Sequence, residues 1–235
     1  MKVAIHQPAY LPWLGYLDRI RRADTFVFLD TVQFEKNSFT NRNRLLRADE
    51  PAGEGEFWLT LPVVSKGHTT STLRETRIDA TQKWKKKHVE SMRQAYRRAP
   101  FFAERFSRLE ELYATEHELL AELCFDQLAF WLREFEVETN IVRARDLAAC
   151  GSKSQLVLDL CRHLEADTYL SGPFGRDYLD LAAFSDAGVS IEFHEFEHPR
   201  YPQGSRDSAA FVPNLGIVDL WMNVERYDWG VGSTL

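Results

Sequence analysis

The residue types best suited to acid–base chemistry stand directly after two apolar segments near the start of the chain. His6 follows the run Lys2–Ile5, with the candidate substrate-binding residue Gln7 directly after it, and Asp30 follows the run Thr25–Leu29. Parallel strands of an α/β sheet bring their carboxyl ends to one edge, so we expect these side chains to lie close together. An imidazole titrates near neutral pH, which makes His6 the candidate general base and Asp30 the group that orients it or binds an acceptor.

The segment after Asp30 is rich in hydrogen-bond donors and poor in acids, which predicts an ordered surface loop. Donors of this kind suit a phosphate, a carboxylate or a sugar. Any one of these residues could instead be an ordinary solvated loop residue, but as a group beside Asp30 they favour binding. The candidate ligand-binding residues here are Gln33, Lys36, Asn41, Arg42 and Asn43.

A second strand, loop and helix start are predicted around residue 172. The short strand Asp167–Ser171 runs into a tight turn at Gly172, and Arg176 and Tyr178 follow at the start of the next helix. We therefore predict that side chains from both regions meet at one edge of the sheet. The residues expected to line this single cavity are His6, Asp30, Asn41, Arg42 and Arg176.

The elements that must position His6 are a stiff arm and a short amphipathic helix. Two prolines restrict the backbone between His6 and Pro12. Gly15 falls in the first turn of the helix, where glycine is accepted when a ligand or another backbone comes close. Leu14, Leu17 and Ile20 form the apolar face, and Asp18, Arg19, Arg21 and Arg22 form the polar face.

Strand-like and helix-like segments alternate along the chain, which predicts a single α/β domain over residues 1–235. Its sheet is expected to be mostly parallel, Rossmann-like and flanked by helices. Dense apolar spacing at the helical period predicts a helical layer over about residues 84–136. Phe57–Val64 and Leu73–Ile78 are predicted as further strands.

Composition narrows the class of protein. A net charge of -6 argues against general nucleic-acid binding. No apolar run approaches the ~20 residues of a membrane span, and the N-terminus lacks the pattern of a signal peptide, so a cytoplasmic location is expected. The cysteines Cys124, Cys150 and Cys161 lack CxxC spacing, which argues against a metal site or a disulfide scaffold. No motif identifies a cofactor or an oligomeric state.

Several long blocks of the sequence carry a family resemblance. They are HQPAYLPWLGYLDRI, ADTFVFLDTVQFEKNSFTNRNRLL, FWLTLPV, TYLSGPFGRDYLD, the pair Tyr201 and Gln203, and FVPNLGIVDLWMN. Together they resemble the WbqC-like proteins of bacterial glycan and secondary-metabolite gene clusters. The resemblance implies a link to O-antigen production, and a glycine or other acyl transfer onto an amino sugar has been suggested for family members. Within these blocks Tyr10, Tyr201 and Gln203 are further candidate substrate-binding residues.

The opening of the chain also resembles the nucleotidylyltransferase and pantothenate-synthetase superfamily. The shared order is a strand, a proline-set arm, a glycine in the first helical turn and a second strand. Two histidines flank the glycine in that superfamily, whereas Trp13 and Tyr16 occupy these positions here. A related fold is therefore better supported than the use of ATP.

Three functions are compatible with these patterns. The first is a transferase that moves an aminoacyl or acyl group from a small-molecule or carrier-bound donor onto an amine, such as that of a nucleotide-linked sugar. Because no GxSxG turn and no exposed cysteine–histidine pair is evident, direct transfer is favoured over a covalent enzyme intermediate. The second is a non-catalytic binding or scaffold protein of a glycan pathway. The third is an ATP-dependent ligase.

Overall fold

The computed structural model of the protein describes residues 1–46, 55–64, 71–203 and 211–230. The strands are β1 (Lys2–His6), β2 (Thr25–Phe28), β3 (Arg42–Leu46), β4 (Glu56–Thr60), β5 (Asn140–Arg143), β6 (Thr168–Ser171) and β7 (Ser190–Phe193). The α-helices are α1 (Leu14–Arg21), α2 (Trp84–Tyr96), α3 (Phe102–Ala114), α4 (Leu120–Glu134), α5 (Lys153–His163), α6 (Leu181–Asp186) and α7 (Val218–Asn223). Short 3-10 turns cover Leu73–Glu75, Ala144–Asp146 and Pro173–Asp177.

Five parallel strands form the central sheet in the order β5-β2-β1-β6-β7. All four neighbouring pairs are parallel, with β1 in the middle between β2 and β6. Parallel neighbours need crossover connections, and helices supply them here, as α1 does between β1 and β2. The predicted α/β, Rossmann-like fold with a mostly parallel sheet is therefore confirmed. β3 and β4 form a separate antiparallel pair.

The sheet lies between two layers of helices. Successive strand residues point to opposite faces, so β1 and β2 supply side chains to both layers. Ala4 and Phe26 belong to the apolar cluster that also contains residues of α1, α2, α3, α4 and α7. Val3 and Val27 belong to a second cluster, built with residues of α5 and α6. The range predicted as a helical layer contains α2, α3 and α4, which all pack on the first face.

Two segments differ from the sequence-based expectation. Residues Arg42–Leu46 form β3, although they were predicted as part of a surface loop. The side chain of the buried Asn43 donates to the carbonyl oxygen of Leu11 and accepts a hydrogen bond from the backbone N–H of Arg44. Such internal bonding lets a polar residue occupy a buried strand position. Residues Leu73–Ile78, predicted as a strand, begin as a 3-10 turn because Thr72 and Glu75 form a capping box there.

In the ranges that the structure describes, none of the helices combines the length and apolar character needed to cross a membrane.

Candidate functional site

A cavity of about 830 Å³ lies at the carboxyl ends of β1, β6 and β7. Its volume falls within the roughly 300–1,000 Å³ of small-molecule pockets. Three strand ends supply its walls: His6 and Gln7 after β1, Gly172 to Arg176 after β6, and His194 to Phe196 after β7. The N-terminal half of α1 closes one side. This is the edge of a parallel sheet at which α/β proteins bind ligands.

Six of the sequence-predicted residues line this cavity. They are His6, Gln7, Gly15, Gly172, Arg176 and Tyr178. The long polar segment after Asp30 also reaches it. It does so through Phe39, Thr40 and Ser38, the last of which belongs to the donor-rich group, and not through Gln33, Lys36, Asn41, Arg42 or Asn43.

His6 is a neutral imidazole with a defined tautomer. Its Nδ1 lies 2.8 Å from the carbonyl oxygen of Gln7. A carbonyl oxygen only accepts hydrogen bonds, so Nδ1 must carry the proton and Nε2 keeps a lone pair. Trp13 and Tyr16 contact the ring edge-on, with ring centres 5.8 and 5.0 Å away. No described residue bonds Nε2, which leaves this nitrogen as the acceptor of a half-buried ring that lines the cavity.

The environment of His6 strongly disfavours its protonated form. Burial and the nearby positive charge of Arg19 lower the pKa of His6 to about 3, although the hydrogen bond to Gln7 acts in the opposite direction. The ring is therefore uncharged throughout the physiological pH range. Such a group is a weak base for a free ammonium ion, but it can accept a proton from a more acidic donor.

Arg19 is the residue of this cavity that sequence reasoning missed. Its side chain lies in the cavity wall, only 5% of the residue is exposed, and its Nε is buried without a hydrogen-bond partner. No described residue forms an ion pair with it. Burial also lowers the pKa of Arg19 and raises those of the neighbouring phenols Tyr16 and Tyr169, so these phenols stay neutral and supply no counter-charge. An unpaired buried charge costs several kcal/mol, on the order of 3–5.

Two glycines shape the space around Arg19. A Cβ atom at Gly172 would lie 2.2 Å from Nη1 of Arg19, so the absence of a side chain lets the guanidinium lie against the end of β6. A Cβ atom at Gly15 would lie 2.8 Å from the ring of Phe196. The close approach that the sequence predicted at Gly15 is thus made by an aromatic side chain. Gly15 and Arg19 are four residues apart on one helical face, which is the signal that could have identified Arg19.

A second imidazole in the cavity wall, His194, is held by a buried carboxylate. Its Nε2 lies 2.8 Å from Oδ2 of Asp18. Burial alone would raise the pKa of Asp18, but the hydrogen bond to His194 and the charges of Arg22 and Arg21 together lower it. Asp18 therefore stays ionised at neutral pH. Sequence reasoning assigned Asp18 only to the polar face of α1, because the distant partner His194 is 176 positions away.

Asp30 does not line this cavity. It is fully buried at the ends of β2 and β5, where Nε of Arg145 lies 2.8 Å from its Oδ2. Burial raises the pKa of Asp30 more than the charge of Arg145 lowers it. Glu122 joins the same group by pairing with both Arg145 and Arg143, the latter at 2.8 Å. We call these four residues the Asp30 charge cluster.

Most of the remaining candidates of the polar segment also bond within the protein. Asn41 donates to the carbonyl oxygen of Leu61 at 2.9 Å. Arg42 stacks over Trp58, with its guanidinium carbon 4.2 Å from the ring centre, and it donates to Asn37. Asn43 is part of the buried strand contact described above. Gln33 and Lys36 are exposed, and Gln33 forms a single β-bridge with Thr72.

The three candidates drawn from the family resemblance lie in buried hydrogen-bond networks away from the cavity. Tyr10 contacts His88 and Tyr113 through its hydroxyl group. Tyr201 and Gln203 both donate to the carboxylate of Asp219, at 2.8 and 3.0 Å. These bonds satisfy groups in the first apolar layer and fix loops to it.

In the part of the chain that the structure describes, no three His, Cys, Asp or Glu residues come together in a way that could hold an ion. Cys124 and Cys161 are buried, and burial raises the pKa of both thiols.

The fold and the cavity define an α/β protein with a ligand-sized site at the carboxyl edge of a parallel sheet. The chain belongs to the WbqC-like protein family, whose sequence profile matches residues 7–228. It is also similar to the protein from Mycobacterium tuberculosis described as "Uncharacterized protein Rv1507c". The two are 31% identical over 224 residues, which cover 95% of this chain and 94% of the relative. No solved structure matches the chain significantly.

Proposed function

We propose that this protein is a cytoplasmic transferase that moves an aminoacyl, glycyl-like, or acyl group onto an amine acceptor such as a nucleotide-linked amino sugar. The donor would be a small-molecule or carrier-bound acyl compound. The observation that carries the proposal is the free Nε2 of the neutral His6 in a ligand-sized cavity at the carboxyl edge of the sheet. Membership of the WbqC-like family supports a role in glycan or natural-product biosynthesis.

In the proposed transfer, the proton donor to His6 is a cationic nitrogen. When the amine of the acceptor adds to the carbonyl carbon of the donor, a C–N bond forms and the attacking nitrogen becomes positively charged. A proton on that nitrogen is far more acidic than one on a neutral amine, so the neutral imidazole of His6 can accept it at Nε2. The C–X bond to the donor's leaving group then breaks, and His6 returns the proton to that group.

A second candidate function, a non-catalytic binding protein of a glycan pathway, is favoured by one observation. A pKa of about 3 makes His6 a poor base for any donor that is not strongly acidic. In that case the ring would act as a hydrogen-bond acceptor for a bound ligand and no product would form. An ATP-dependent ligase is the third possibility, and it differs in consuming ATP.

The deciding experiment incubates the purified protein with candidate acyl donors and nucleotide amino sugars, with and without ATP, and follows the products by mass spectrometry. We expect an ATP-independent acylated product. His6→Ala should lower turnover by about 10²- to 10⁴-fold, because the proton is transferred only in the transition state. The matched control is His163→Ala, an exposed histidine on α5 outside the cavity.

Product formed by His6→Ala at the wild-type rate would exclude His6 as the base. Ligand binding without any product would favour the binding protein. A requirement for ATP, with release of pyrophosphate or phosphate, would favour the ligase.

A further inference from the structure

We propose that Arg19 anchors an oxyanion subsite in this cavity, and that the group it binds is a phosphate of a ring-containing ligand such as a nucleotide or a sugar phosphate. The inference rests on the proposed function only for the identity of the rest of the ligand. Oxyanion binding itself is argued from the residues around Arg19.

The first argument is the uncompensated charge of Arg19. Only 5% of the residue is exposed, and its Nε has no hydrogen-bond partner. No described side chain forms an ion pair with it. Neighbouring acids are used elsewhere: the carboxylate of Asp18 pairs with His194, Arg21 and Arg22. Glu195 also lines the cavity, but its side chain is largely exposed and lies 3.9 Å from Arg176. Natural proteins pair their buried charges, so a buried guanidinium that no described acid pairs with indicates that the ligand supplies the anion.

The second argument is the fit of the guanidinium at the end of β6. Gly172 is the residue against which Nη1 lies, and any side chain there would collide with it. The backbone of Gly172 is extended, with φ near -68°, so no glycine is needed for conformational reasons. The guanidinium of Arg19 occupies the space that a side chain at position 172 would need, and this explains why a glycine stands there. Arginine presents its N–H groups as a planar fork, which matches two oxygens of one phosphate or carboxylate.

The third argument is the distribution of groups between the interior and the mouth of the cavity. Phe174 and Tyr178 line the cavity although they are 79% and 46% exposed. The side chain of Arg176 is 58% exposed and its guanidinium carbon lies 4.0 Å from the ring centre of Phe193. A ligand with its anionic group at Arg19 would thus place its remaining part against exposed aromatic rings, which stack on sugars and nucleobases.

The test uses three probes: inorganic phosphate, uridine diphosphate and acetate. Binding to the wild type is measured by isothermal titration calorimetry, and the shift of the unfolding midpoint is recorded with each probe. We expect both phosphate compounds to bind, uridine diphosphate more tightly. In Arg19→Met the affinity should fall by about 10- to 100-fold, the loss typical of a charged hydrogen-bond pair.

Two further variants make the test specific. Gly172→Ala keeps Arg19 but displaces its guanidinium, so it should weaken phosphate binding while the circular dichroism spectrum is retained; it also serves if Arg19→Met does not fold. Arg162→Met makes the same chemical change on the exposed surface of α5 and should bind as the wild type does.

Three results would overturn the subsite. They are phosphate binding that is unchanged in Arg19→Met, phosphate binding that is weakened equally in Arg162→Met, and no phosphate binding by the wild type. Acetate binding that depends on Arg19, without phosphate binding, would support the oxyanion subsite and overturn the phosphate assignment. Failure of the transferase is distinguishable, since Arg19-dependent binding without any acylated product leaves the subsite in place.

Discussion

The two halves of the sheet's carboxyl edge treat buried charge in opposite ways. Over β2 and β5, Arg145 lies beside Asp30 and Glu122 joins the pair, so the buried charge of Asp30 has an opposite partner. Over β1 and β6, Arg19 is as deeply buried and has no partner among the described residues. Removing one partner of a buried ion pair is strongly destabilising, because it leaves the other charge buried alone, and Arg19 is already in that state in the ligand-free fold. Between these two regions, the free-energy cost of an unpaired buried charge is kept only at Arg19, which indicates that the ligand binds there.

The strongest test of this comparison removes Arg145, the cation of the Asp30 charge cluster that pairs with Asp30. Arg145→Met leaves the fully buried Asp30 without its nearest positive charge and weakens the pairing of Glu122. We expect the free energy of unfolding to fall by about 3 kcal/mol. Urea denaturation measures this change, with Arg162→Met as the exposed control. A loss no larger than that of the control would mean that the cluster does not contribute to stability.

The same chemical change at Arg19 should have the opposite sign. Arg19→Met replaces an unpaired buried guanidinium by an apolar side chain of similar length, so the ligand-free protein should gain about 1 kcal/mol in the free energy of unfolding. The measurement is the same urea denaturation, made without phosphate in the buffer. Destabilisation by this variant would show that Arg19 has a structural partner, and the contrast between the two regions would fail.

The smallest effects concern pH, and here Asp18 and Asp30 should differ in direction. The pKa of Asp18 is lowered on folding, so its stabilisation is present above the ordinary carboxyl pKa and is lost as the pH falls through the folded-state value. The pKa of Asp30 is raised by burial, so its contribution is present at low pH and is lost as the pH rises through the folded-state value.

Urea denaturation from about pH 7 to about pH 2 therefore gives opposite trends for two variants. Relative to the wild type, the loss of stability in Asp18→Asn should shrink as the pH falls. The loss of stability in Asp30→Asn, again relative to the wild type, should grow as the pH falls. Parallel trends for both variants would show that the two carboxyl groups share one electrostatic environment.

The sequence predicted the fold better than the site, for physical reasons. The spacing of apolar residues is a property of short segments, so β1, α1 and β2 could be recognised from the first thirty residues. His6 and Gly172 could then be predicted as cavity residues because they stand at strand ends. β3 was missed because the buried side chain of Asn43 is polar and bonds to the backbone.

The polar residues of the site depend on distant partners, and no local pattern reports these. Asp18 and Arg19 appear equivalent in the sequence as adjacent charges on the polar face of one helix. Only the packing of β6 and β7 against α1 decides that Asp18 meets His194 and that Arg19 meets none of the described acids. Likewise, Asp30 stands at a strand end as His6 does, but a neighbouring arginine on the Ala144–Asp146 turn pairs with it.

The adjacency of Asp18 and Arg19 makes the sign of the cavity's charge depend on the rotational phase of α1. Neighbouring helical residues differ by about 100° around the axis. Inserting or deleting one residue before position 18 would rotate the helix by that amount and bring a different side chain to the end of β6. An acid could then face the cavity in place of the guanidinium. The length of the arm between β1 and α1 is therefore as constrained as any side chain of the site.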